Sequence, residues 1–207
     1  MEGKYERKIV AFFLMLLPLV GTMCSEEKKL SPSASTDGLN LSVPSGISDG
    51  DLICRLGNGF FSGYFQRLNG KDCRFSHIGI LSCEGDSVFV YHSEASELTG
   101  VGQVMKTPFE EFAKDALEWE IFPFGDSVVG AEVVKRAEFY RRKSTPFDLD
   151  FDLSNDSALY CTELVAKCVN LSLGKDTILP TVEINGLRYY SVDDVLLILK
   201  DKRVIVE

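Results

Sequence analysis

The chain has 207 residues, 45% of them hydrophobic, enough for one domain with a full core plus accessory segments. Its formal net charge is -9 and its pI about 4.8. No basic stripe offsets that balance, which argues against a nucleic-acid partner.

The first segment reads as an export signal. Lys4, Arg7 and Lys8 precede the apolar run "IVAFFLMLLPLV", which is too short to span a bilayer and carries Pro18. Cys24 follows directly and resembles the lipidated first residue of a bacterial lipoprotein, although Met23 is bulky where a small residue is usual. Residues 1–24 are therefore expected to be a signal segment with a lipoprotein cysteine. Residues 25–48, rich in Ser, Pro and Gly, are expected to be a flexible tether, and 49–207 the folded domain. The chain is expected to be exported to the cell envelope and held at a membrane by lipid on Cys24.

The folded part opens with a short strand at "LICRL" and a short helix ending at Asn69-Gly70. "RFSHIGILSC" and "DSVFVYHSEAS" read as two strands joined by a two-residue turn at Gly85-Asp86. "TPFEEFAKDA" reads as a helix with Thr107 as N-cap, Pro108 in the first position and Glu110 closing a capping box. A strand at "LEWEIFPF" follows, then a helix over "SVVGAEVVKRAEFYRRK". A second helix covers "ALYCTELVAKCVNLSLG", closed by Gly174. A capped helix at "SVDDVLLILKD" and a strand at "RVIVE" complete an α+β chain, with a largely antiparallel sheet and segregated helices.

Cys161 stands in the first turn of the second long helix, where the positive end of the helix dipole favours a thiolate. A base has two sources, His77 and His92, the only histidines in the chain. With Gly85-Asp86 as the turn, Gly79 opposes His92 and His77 opposes Glu94, so His77, His92 and Glu94 point to one side of the sheet. The stripe Cys161, Leu164, Val165, Cys168 and Val169 is expected to pack on that side and carry the thiol to the histidines. Paired with imidazolium, the thiol would be nucleophilic near neutral pH.

The segments "GDLI", "SHIGIL", "VYHSEAS", "GVGQVMKTPFEEF", "FYRRKSTPFDLDF" and "YCTELV" together resemble the permuted NlpC-type cysteine hydrolases. These are the YiiX-like branch of the papain-like peptidases, distantly similar to the lecithin retinol acyltransferase group. The resemblance covers roughly residues 48 to 170. It implies a circularly permuted papain-like fold in which His77 precedes the cysteine helix. It makes Cys161 the nucleophile, His77 the base and His92 the third member, with Glu94 as the alternative third member. Tyr160 and Glu163, flanking the nucleophile, are candidate substrate contacts; the other reading of Glu163 is a solvated charge. "TPFD" at 145–148 resembles the family's Gly-x-Pro-Tyr-Asp but lacks its glycine.

The expected activity is an envelope cysteine hydrolase, cleaving an amide in a cell-wall peptide or a γ-glutamyl-type amide through a thioester. The alternatives are thiol-dependent acyl chemistry on lipids, which a long apolar groove would favour, and a non-catalytic binding module. No cofactor is expected. Cys54, Cys73, His77 and Cys83 lack the spacing of a zinc site, so no metal is expected either; these cysteines read as buried strand residues or one disulfide. Cys168 reads as core.

Overall fold

The structure is a computed structural model, and it describes residues 43–59, 62–69, 74–184 and 186–200. The signal segment, Cys24, Cys73 and the expected strand at "RVIVE" lie outside the described residues. Among the described residues, no helix is long and apolar enough to cross a membrane.

Among the described residues, seven strands and five helices follow in chain order. They are β1 (Leu52–Gly57), α1 (Ser62–Leu68), β2 (His77–Glu84), β3 (Ser87–Ala95), β4 (Gly102–Pro108) and α2 (Phe109–Lys114). After these come β5 (Ala116–Phe122), α3 (Ser127–Arg142), α4 (Cys161–Leu173), β6 (Val182–Ile184), β7 (Leu187–Tyr189) and α5 (Val192–Lys200). Strands β4-β3-β2-β1-β5 form one sheet whose pairings are all antiparallel, and β6-β7 form a small hairpin. This is the α+β arrangement expected from the sequence. The hairpin turn is as expected: Glu84 pairs with Ser87 and Ile80 with Tyr91, with Gly85 at φ 60.

The sheet is apolar on both faces, because residues of opposite parity each find a cover. On one face Leu52, Cys54, Ile78, Ile80 and Tyr91 pack against Leu164, Val165, Cys168 and Val169 of α4 and Val133 and Ala137 of α3. Cys168 is fully buried there, as a core residue. On the other face Ile53, Leu81 and Val90 pack against Phe109 and Phe112 of α2. Asp126 caps α3 by accepting from the N–H groups of Val128 (2.9 Å) and Val129 (3.0 Å), and Gly174 ends α4 at φ 66.

Several expectations are corrected. The tether does not run to residue 48: Val43 and Ile47 pack on the α2-side core, and the Ser48 N–H donates to Asp51 at 2.9 Å. Thr107 and Pro108 are not the start of a helix but the end of β4. Helix α2 begins at Phe109 with no side-chain cap, because pairing Val90 with Thr107 and Phe89 with Pro108 extends the ladder that far. Strands β4, β6 and β7 were not expected. Cys54, Cys83, Cys161 and Cys168 are free thiols; Cys54 lies in the α4-side core and Cys83 sits 3.7 Å from the Ile47 carbonyl on the other face, so they form no cluster.

Candidate active site

The histidines meet as the register requires. His77 Nε2 lies 3.0 Å from His92 Nδ1, and Glu94 Oε2 lies 3.7 Å from the same His92 nitrogen. Gly79 makes the approach possible: a β-carbon there would fall 2.4 Å from Val90 Cγ1 and 3.0 Å from the Tyr91 carbonyl. Glu94 is held by an ion pair with Arg55, whose guanidinium also donates to the Phe112 carbonyl at 2.6 Å and stacks over the Phe112 ring. The same ring packs against both imidazoles, parallel to His77 at 5.6 Å between centroids and edge-on to His92 at 5.0 Å. The far nitrogen of His92, Nε2, is 2.9 Å from the hydroxyl of Thr107.

These contacts put His77, His92, Glu94, Arg55 and Thr107 on the α2 face of the sheet. The helix with Cys161 packs on the opposite face, which overturns the expectation that the cysteine stripe and the histidines share one side. The reason is that both faces are apolar and α2 already covers the histidine side. The two sides nevertheless meet at the end of the sheet. The β2–β3 pairing stops at Ile80–Tyr91, whereas β2 stays paired to β1 as far as His77 and β3 to β4 as far as Ala95. The strands part there, and the N–H of Ile78 is turned to the sulfur of Cys161 instead. Cys161, His77 and Glu94 line one cleft of about 130 Å³ at this opening.

The first turn of α4 is fixed on all sides. The Tyr160 hydroxyl accepts from the Tyr190 N–H at 2.7 Å, and Thr162 Oγ1 donates to the Tyr190 carbonyl at 2.6 Å. Glu163 reaches back to the Tyr160 N–H at 3.4 Å and lies 3.0 Å from Lys167 Nζ. Tyr160 lines the cleft, but Glu163 is fully buried and does not. Glu163 is thus neither a solvated charge nor placed to touch substrate; it caps the helix that carries the thiol. Burial pushes its carboxyl up to about 7, with the Lys167 ammonium opposing. Around the thiol the wall is largely apolar, with Phe65, Phe147, Leu149, Phe151 and Tyr189 among its residues.

The protonation states differ from the expected thiolate and imidazolium. Burial raises the Cys161 thiol to about 11, although the N–H groups of Thr162, Ile78 and Cys161 itself favour the thiolate. Burial also holds His77 well below its ordinary value, with Arg55 adding to the effect, and brings His92 down to about 3, with the neighbouring His77 second. The site at rest is a neutral thiol beside two neutral imidazoles. No hydrogen bond joins Cys161 to His77 among the described residues, although both line the cleft.

Of the residues named from the sequence, His77, His92 and Glu94 come together, and Cys161 shares a cleft with His77 and Glu94. Sequence reasoning missed Thr107, which reads as a helix cap until β4 is paired with β3, and Arg55 and Phe112, whose places depend on the pairing of β1 with β2 and on the packing of α2. A metal has one candidate seat among the described residues: one ligand atom each from His77, His92 and Glu94, all within 4.8 Å of one another. The donor types suit a divalent transition metal. A metal there would replace the His77–His92 hydrogen bond and compete with Arg55 for Glu94.

No protein-family profile matches the chain, and no curated protein matches it. Among solved structures, the chain is similar to the crystal structure of the metalloprotein YiiX from Escherichia coli O157:H7. The identity is 19%, over 72% of this chain and 91% of that one, with a TM-score of 0.58. At that identity the likeness shows the fold: this chain has a YiiX-like α+β fold.

Proposed function

We propose that the chain is a permuted papain-like cysteine hydrolase of the cell envelope, cleaving an amide through a thioester. The observation that carries the reading is the shared cleft of Cys161 and His77, with His77 Nε2 tied to His92. In this reaction His77 Nδ1 takes the thiol proton as Cys161 Sγ attacks the carbonyl. The leaving amine takes that proton, and a thioester remains. Water then attacks the thioester, giving a proton to His77 that returns to the sulfur. The N–H groups that favour the Cys161 thiolate lower the cost of its transient charge. Glu94 is near enough to the histidine pair to stabilise its positive charge.

The apolar cleft wall favours a second substrate class, an acyl group on a lipid, transferred or hydrolysed by the same thiol. One experiment addresses both: the mature protein is incubated with wall-derived muropeptides and with lipid esters, and acyl adducts on the protein are read by intact mass. An adduct on Cys161, absent in Cys161→Ala and His77→Ala, is the expected result. The class that yields it identifies the substrate. Absence of any adduct and any turnover with both classes sinks the hydrolase reading.

The metal seat supports a different reading, given that YiiX is described as a metalloprotein. His77, His92 and Glu94 would hold the ion, which would supply Lewis acidity. Metal content of the purified protein, compared with His92→Ala, tests it. The envelope location is tested separately: the wild type should fractionate with membranes and Cys24→Ser should not.

A further inference from the structure

His77 and His92 are the only two histidines of the chain, and their nitrogens stand in line. His77 Nε2 faces His92 Nδ1 at 3.0 Å, and His92 Nε2 faces Thr107 Oγ1 at 2.9 Å. A neutral imidazole has one N–H and one bare nitrogen, so only two proton arrangements satisfy both contacts. In the first, His92 donates from Nε2 to Thr107, its bare Nδ1 accepts from His77 Nε2, and His77 Nδ1 is left bare. In the second, Thr107 donates to His92 Nε2, His92 donates from Nδ1 to His77 Nε2, and His77 carries its proton on Nδ1. Only the first leaves His77 a free lone pair on the nitrogen not taken by His92.

The surroundings keep both rings neutral, as the two arrangements require, and weaken the pull toward the second. Glu94 is the one carboxylate beside His92 Nδ1 and would draw a proton there, but its charge is engaged by Arg55 and it stands at 3.7 Å. The Arg55 guanidinium, on the same face, also opposes further positive charge at both rings. The backbone of Thr107 is held in β4 by pairing with Val90, and the His92 ring is buried under the edge of Phe112.

We propose that Thr107 is a positioning residue: by accepting from His92 Nε2 it sets the tautomer of His92, and through it leaves His77 Nδ1 free to act as base. The functional consequence rests on the proposed Cys161–His77 chemistry; the tautomer itself does not.

With two histidines, the test is direct. Untagged, chelator-treated, nitrogen-15-labelled full chain is examined at neutral pH by long-range proton–nitrogen correlation of the imidazoles, with His92→Gln assigning the signals. Both rings are expected as Nε2–H tautomers in the wild type and in Thr107→Ser. Thr107→Val is expected to move His92 to Nδ1–H. Turnover in Thr107→Val should fall roughly 10- to 100-fold in kcat with KM little changed, and Thr107→Ser should recover most of it. A wild-type His92 protonated on Nδ1 overturns the proposal whether or not Thr107→Val folds. So does a Thr107→Val spectrum like the wild type. Tautomers as expected in a protein without thiol activity would refute the hydrolase reading and leave only the setting of the His92 tautomer by Thr107 intact.

Discussion

The two faces of the five-stranded sheet are cut from the same strands and organised on opposite terms. The α4 face is a continuous apolar core that buries Cys54 and Cys168, and a third thiol, Cys161, sits at its rim, pushed up to about 11. The α2 face starts as a core at Ile53, Leu81 and Val90. It then changes, toward the open end of the strands, into an ordered polar group of Arg55, His77, His92, Glu94 and Thr107 around one phenyl ring. Cys161 and His77 are thus kept on opposite sides of the sheet and share a cleft only where β2 and β3 separate. Burial keeps each neutral at rest, so reactivity depends on the encounter rather than on a standing ion pair.

That contrast is broken most sharply by the thiol itself. Because its pKa is raised, Cys161 is protonated at neutral pH, and its thiolate fraction grows tenfold per pH unit until about 11. Alkylation by iodoacetamide in the absence of substrate should therefore rise about a thousandfold between about pH 7 and 10, read by peptide mass spectrometry. The selective labelling in mild acid that a helix-start thiolate implies should not occur. A rate already at its plateau near pH 6 would mean that imidazolium reaches the sulfur at rest, and the separation of the two faces would be wrong.

Next come paired substitutions with opposite signatures. Leu164→Ala on the α4 face empties a fully buried site and should cost about 2–5 kcal/mol of stability. Phe112→Leu keeps most of the volume and should cost less than about 1.5 kcal/mol. It removes the ring that both imidazoles pack on, however, so turnover should fall by about tenfold or more. Denaturant melts and initial rates on both variants measure the ratio. Equal ratios of stability loss to rate loss would show that the faces are not specialised.

What the sequence revealed follows the same division. The hairpin register and the helix-start cysteine were legible because each depends on local pattern: alternation, a Gly-Asp turn, a capped amphipathic run. The side of the sheet that α4 covers was not, because Ile78 and Leu81 are equally apolar and alternation cannot rank two hydrophobic faces. Thr107 was misread for a related reason. "TPFEE" carries every mark of a helix start, and only the pairing with β3 makes Thr107 a strand residue within reach of His92. The protonation states were hidden too, since burial set by distant elements outweighs the helix dipole that the local sequence announces.

Glu163 offers a smaller test on the α4 side. Its carboxyl is raised to about 7 and is fully buried. A raised carboxyl favours the folded state when protonated, so its contribution is fully present below the unfolded value and is lost as pH rises toward 7. Between about pH 4.5 and 7 this amounts to at most about 3 kcal/mol, the opposing Lys167 ion pair included. Glu163→Gln should flatten the pH dependence of the melting temperature across that window while retaining the cap on α4. An unchanged slope would place the titration elsewhere.

The smallest effect concerns the link between the faces. Ser144, exposed at the end of α3, has φ 50, a left-handed conformation that costs a side-chain-bearing residue about 1–2 kcal/mol. The turn sends the chain into Thr145, whose carbonyl accepts from the Val104 N–H at 2.8 Å, and on to Phe147 in the cleft wall. In the Gly-x-Pro-Tyr-Asp pattern that "TPFD" resembles, the glycine falls on this residue. Glycine relieves the strain but loses about 0.5–1 kcal/mol to the freedom of the unfolded chain. Ser144→Gly should therefore gain about 0.5 kcal/mol, or about 1–2 °C in Tm for a domain of this size, with Ser144→Ala gaining nothing. Thermal unfolding of the two variants side by side resolves the difference. If glycine destabilises instead, the left-handed turn is not what delivers Phe147 to the cleft, and the apolar wall must be held from the Tyr160–Tyr190 side alone.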